Sequence, residues 1–137
     1  MCEEPGGTYW QHWLQYVKTE LLGHGMIDST DLQLFQVFDR AEDAAAAVVN
    51  FYRRYHSMRY VDDRLVLRLN SPLSAETLSQ INGAFADILT EGRFEPAAGP
   101  IEGEEGSYPG NSRLVFAFDR RSTGRLRALI DAINAAP

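Results

Sequence analysis

Arg64-Leu65-Val66-Leu67-Arg68-Leu69 is the stretch on which the fold turns. Leu65, Leu67 and Leu69 alternate with Arg64, Val66 and Arg68, and a period of two puts the leucines on one face of a strand and the arginines on the other. Downstream, Ser74 is placed to cap a helix whose apolar stripe is Leu78, Ile81, Phe85, Ile88 and Leu89, ending near Gly92. Arg93-Phe94-Glu95 begins a further strand, and the Gly-, Pro- and Glu-rich segment 96–111 is a loop. Leu114, Phe116 and Phe118 alternate with Arg113, Val115 and Ala117 as another half-buried strand. Ser122 is placed to cap a last helix with Leu126, Leu129, Ile130 and Ile133 inside. Residues 60–135 therefore predict an α+β fold, β-α-β-β-α, with a small antiparallel sheet and two helices packed on one face.

Working upstream, the pattern changes. Trp10, Trp13, Leu14, Val17 and Leu21 recur at helical spacing, so residues 8–22 predict an amphipathic helix stopped by Gly23 and Gly25. Leu32, Leu34, Phe35, Val37 and Phe38 predict a short strand. Asp39-x-x-Glu42 has the form of a capping box opening a second helix, with Ala41, Ala45, Val48, Val49, Tyr52 and Tyr55 as its buried stripe. These first 58 residues carry large aromatics and no sheet of their own to cover. They are expected to pack on something else, either a missing N-terminal sheet or a second copy of the chain, so a homo-oligomer is expected.

Composition bounds the function. The 137 residues have the length of one ordinary domain, and 45% hydrophobic with 23% charged is a folded composition. One cysteine, Cys2, excludes an internal disulfide and gives no basis for a thiolate metal site. No apolar run approaches the ~20 residues that span a bilayer, and Glu3 and Glu4 stand where a secretory signal would carry base. A cytoplasmic protein without membrane contact is expected. A net charge of −6 argues against a nucleic-acid partner. Arginines nevertheless cluster between residues 53 and 68 and between 113 and 127, and an anionic ligand belongs near them.

Phe51-Tyr52-Arg53-Arg54-Tyr55-His56-Ser57-Met58-Arg59-Tyr60 is the densest chemistry in the chain. Guanidinium forks grip carboxylate or phosphate and aromatic rings stack on bases. The competing reading has the tyrosines in the core and the arginines in ion pairs. Arg120-Arg121-Ser122 precedes a helix N-terminus, where N–H groups and positive side chains favour an anion. A salt bridge to the acidic loop is the alternative. Arg53, His56, Arg59, Arg120 and Arg121 are thus the candidate ligand-binding residues. No catalytic residue, metal ligand or cofactor is expected. Pro5-Gly6-Gly7-Thr8 lacks the Walker spacing and reads as a helix start. Glu102, Glu104 and Glu105 read as solvated loop carboxylates, and Asp62-Asp63 as a turn. His12, His24 and His56 have no metal-like pairing. An enzyme using His56 with a nearby carboxylate is the reading least supported by the residues.

Tyr9-Trp10-x-x-Trp13-Leu14, Gly25-Met26-Ile27-x-x-x-Asp31-Leu32-x-Leu34-Phe35-x-Val37-x-Asp39 and Glu42-Asp43-Ala44 together resemble the C-terminal end of the Lonely Guy (LOG) family. These are Rossmann-like proteins long described as possible lysine decarboxylases. The runs from Phe51 to Leu69, Phe85-Ala86-Asp87-Ile88-Leu89, and Arg113-Leu114-Val115-Phe116 through Arg120-Arg121-Ser122-x-Gly124-Arg125-Leu126 resemble the extension of longer bacterial members. The likeness covers nearly the whole chain and rests on dispersed positions. It implies kinship with phosphoribohydrolases that cut the N-glycosidic bond of nucleoside 5′-monophosphates. Their motif, Pro-Gly-Gly-x-Gly-Thr-x-x-Glu, is not met here, because Thr8, Tyr9 and Trp10 follow Pro5-Gly6-Gly7. The resemblance therefore implies a truncated member: residues 1–58 as the last helices of a Rossmann-like domain and 59–137 as an appended α+β module. Its role would be non-catalytic, in dimer contact or regulation, with a nucleoside monophosphate bound only through the missing N-terminal domain. The alternative is a free-standing regulatory module that binds a nucleotide or an amino acid.

Overall fold

The computed structural model describes residues 1–104, 106 and 108–137. Four strands form one antiparallel sheet: β1 (Tyr55–Val61), β2 (Arg64–Leu69), β3 (Leu89–Ala97) and β4 (Ser112–Phe118), in spatial order β1-β2-β4-β3. Helix α3 (Ala75–Ala84) links β2 to β3, and α4 (Thr123–Ala135) follows β4. The unit is thus β-β-α-β-β-α. The expected β-α-β-β-α gains a strand at its front, because 55–61 leaves the helix and pairs with β2. Asp62 and Asp63 are the two-residue turn between them, with Asp62 at φ 52°.

Alternation builds the core as expected. Leu65, Leu67, Leu69, Leu114, Phe116 and Phe118 share one face and pack on Ile81, Phe85, Leu129 and Ile133 from α3 and α4. Leu129 and Ile133 are wholly buried, each worth about 1.5–3 kcal/mol of apolar transfer. Ser74 caps α3, accepting from the Thr77 N–H at 3.1 Å. That helix stops at Ala84, and a 3₁₀ turn (Ala86–Ile88) delivers Leu89 to β3, so the strand starts earlier than the Gly92 boundary suggested.

The N-terminal third departs most from expectation. Helix α1 (Tyr9–Tyr16) runs on as a π-helical segment (Val17–Leu22). The apolar run after Asp28 is no strand: Ser29–Leu34 is a 3₁₀ helix. The capping box lies at Asp28 and Asp31, not at Asp39 and Glu42. Asp28 accepts from Thr30 N–H at 2.8 Å while Asp31 accepts from Asp28 N–H at 3.0 Å. Helix α2 (Ala41–Phe51) begins after Arg40 without a side-chain cap. Its expected buried stripe is exposed at Ala41, Ala45, Val48, Val49 and Tyr52, and Tyr55 is buried in β1 instead. The 3₁₀ helix sits hard on α4, since a Cβ at Gly124 would fall 2.2 Å from the Thr30 carbonyl oxygen. Asn134 fastens the α2–β1 junction to α4: its Oδ1 accepts the N–H groups of Arg54 and Tyr55, each at 2.9 Å, and its amide donates to the Phe51 carbonyl.

Candidate functional site

The five arginine and histidine positions marked by the sequence do not converge. Arg53, exposed past α2, donates to the Ala136 carbonyl at 3.2 Å. Arg120 lies beyond the other end of β1, its guanidinium 4.4 Å over the Tyr60 ring and donating to the Asp62 carbonyl at 3.3 Å. A seven-residue strand, roughly 20 Å long, separates them. Arg59 pairs with Val66 across the sheet, on the face opposite Tyr60. Arg121 is exposed and contributes its backbone N–H to Asp119 at 2.9 Å.

Carboxylates of the chain itself occupy the start of α1 and the turn that leads into α4. Glu3 is buried and accepts the N–H groups of Tyr9, Trp10 and Gln11 at 3.1, 2.8 and 3.3 Å, filling the start of α1. Asp119 accepts from the N–H groups of Arg121 and Ser122 and from the Ser122 hydroxyl at 2.6 Å, ahead of α4. Ser122 stands at the cap position without a cap bond of its own. Burial pushes the Asp119 carboxyl up, but the Ser122 hydroxyl and the N–H donors outweigh it and hold the group below its usual range.

The charges that do converge lie on the sheet face away from the helices. Arg68 on β2 and Arg113 on β4 are direct cross-strand partners, with side chains only 7% and 0% exposed. The loop between β3 and β4 inserts Glu104 between them, its side chain fully buried. Oε1 accepts from Arg68 Nε at 2.7 Å and from Arg113 Nη2 at 3.1 Å, while Oε2 accepts from Arg113 Nε at 3.1 Å. The expectation of a solvated Glu104 is therefore overturned, because Ile101 packs on Val61, Val66 and Val115 and pins the loop to the face. Glu102 is exposed as expected, and Glu105 lies outside the described residues. Gly103, at φ +82° and with Val61 only 3.1 Å from where a Cβ would sit, makes the close approach possible. Burial raises the Glu104 pKa; the two arginine forks outweigh that and hold it below the ordinary carboxylate range.

Around this cluster stand Ser57, His56 and Tyr108. Arg68 Nη1 donates to Ser57 Oγ at 3.4 Å, His56 Nδ1 lies 2.8 Å from the same hydroxyl, and the Tyr108 ring lies tilted 4.5 Å from His56 and 5.3 Å from the Arg68 guanidinium. Arg113 Nη1 donates to the carbonyls of Tyr108 and Asn111. Arg68 Nη2 is buried and has no acceptor among the described residues. Of the sequence candidates, only His56 joins this cluster. The alternation in β2 and β4 already set Arg68 and Arg113 on one face; nothing local signalled that a glutamate some 36 residues on would meet them.

A second surface is apolar. Seven of the ten strongly exposed large apolar side chains among the described residues precede β1: Tyr9, Tyr16, Met26, Leu34, Val48, Val49 and Tyr52. A groove of about 330 Å³ runs between α2 and the 34–38 segment, walled by Phe35, Val48, Phe51 and Tyr52. Among the described residues no group of three or more His, Cys, Asp or Glu could hold a metal ion, and no helix is long and apolar enough to cross a membrane. Comparison with known protein families, with curated proteins and with solved structures finds no match to this chain.

Proposed function

We propose that this chain is a non-catalytic docking module, in which the α+β sandwich is a rigid platform and residues 1–52 form the contact surface. One observation carries the reading: the main core comes from Tyr55 to Ile133, while most of the large apolar exposure lies on the elements before it. We read this concentration of exposed apolar side chains as one surface, and large contiguous apolar surfaces mark interaction sites. The occupant we favour is a second copy of the chain. In the finer form of the proposal, the module is the dimerising or regulatory C-terminal part of a LOG-like phosphoribohydrolase. The dispersed sequence likeness and the missing Pro-Gly-Gly-x-Gly-Thr-x-x-Glu motif support that form.

Sedimentation of the full chain over a concentration series tests the docking role. The expected result is a concentration-dependent dimer that Val48→Lys and Val49→Lys each weaken at least ten-fold, with the urea midpoint nearly unchanged because both side chains are exposed. A strictly monomeric chain at high micromolar concentration removes the self-association. Release of ribose 5-phosphate from AMP at an enzyme-like rate overturns the non-catalytic reading.

A further inference from the structure

We propose that Arg68 and Arg113 form a binding site for a small dicarboxylate, and that Glu104 occupies it as a competitor supplied by the chain itself. The site goes beyond the docking role and lies on the sheet face away from the helices. Its shape is that of carboxylate recognition: Arg113 meets both oxygens of Glu104 through Nε and Nη2, and Arg68 adds a third donor at 2.7 Å. Arg68 is served poorly by this arrangement. It shares one carboxylate with Arg113, reaches Ser57 only at 3.4 Å, and leaves Nη2 buried without an acceptor among the described residues. An unmet donor on a buried charged group is a standing cost, and a buried ion pair is seldom kept for stability alone. A ligand with a second carboxylate supplies the acceptor that a single glutamate side chain lacks. The tilted rings of Tyr108 and His56 stand beside Arg68. Glu104 arrives on a loop, so its carboxylate can leave without breaking a strand pair.

The test is a titration of the ¹⁵N-labelled full chain with succinate at constant ionic strength, following the Gly103 amide and the Arg68 Nε–H signals. Wild type is expected to show weak but saturable shifts, and acetate much smaller ones. Glu104→Asp shortens the internal carboxylate and is expected to bind succinate several-fold tighter. Glu104→Gln removes its charge and is expected to bind at least ten-fold tighter, with Arg68→Lys in that background losing the gain. Linear shifts in wild type and Glu104→Asp alike overturn the site. So does a Glu104→Asp affinity equal to wild type, which decides the matter even where Glu104→Gln does not fold. Acetate binding as tightly as succinate overturns the second carboxylate, and inorganic phosphate binding more tightly overturns the carboxylate class.

Discussion

Glu104 concentrates the electrostatics of this protein in one side chain. Burial alone would make it a weak acid, and the forks of Arg113 and Arg68 reverse that direction. Its folded pKa lies below the unfolded value, so its contribution to stability is fully present above about pH 4.3 and is lost as pH falls through the folded value. Asp119 acts with the same sign. Asp87 does too, through Arg125, but that pair is largely exposed and is screened. Urea unfolding between pH 6 and pH 2 should therefore show steep acid destabilisation, and Glu104→Gln should flatten it. At pH 7 Glu104→Ala should cost about 3–5 kcal/mol, because two buried guanidinium groups lose their shared carboxylate. An unchanged acid slope in Glu104→Gln would place the titration elsewhere. The sequence could not assign this role: Glu102 and Glu104 look alike in a Gly-rich loop, and the packing of Ile101 buries Glu104 while Glu102 stays exposed.

At the scale of elements, local pattern served where a side chain's neighbours lie on its own strand or helix. The alternation in β2 and β4 and the stripes of α3 and α4 all met the core they pointed to. The run Leu32 to Phe38 failed because a short apolar stretch suits several backbones. Asp28 and Asp31 decided it by closing a 3₁₀ turn just ahead. The stripe of α2 is real, yet helical spacing says only that a face is apolar, not that anything covers it. One joint between this region and the sandwich is the contact of Thr30 with Gly124, the other being Asn134 at the α2–β1 junction. Gly124→Ala should force the 3₁₀ helix away from α4 at a cost of about 1–3 kcal/mol. Amide exchange should quicken across Ser29–Leu34 and hold steady in β2 and β4; uniform quickening would mean that the whole sandwich, not the joint, had loosened.

The molecule as a whole divides into a densely packed sandwich and a lightly packed N-terminal region. Between Met1 and Phe51 only Glu3 and Val17 are buried. Segments with so few buried contacts open at low free energy. In dilute solution the amides of α1 and α2 should exchange well before those of β2 and β4. Raising the protein concentration should then protect α2 selectively, if its exposed face meets a second copy. Protection that ignores concentration would detach the exposed apolar surface from self-association. The five residues Arg53, His56, Arg59, Arg120 and Arg121 belong to this scale as well. The sequence offers them in two separate arginine-rich segments, and the length of β1 keeps them apart, over two ends and two faces of the sheet.

Sequence alone determined the antiparallel α+β character, the apolar faces of β2, β4, α3 and α4, and the shared face of Arg68 and Arg113. Each of these follows from a backbone period acting over a few neighbouring residues. Tertiary structure decided which charges are buried, where Glu3 and Glu104 dock, and which apolar face stays open. Those outcomes depend on where a distant loop or helix comes to rest, and no local period carries that information.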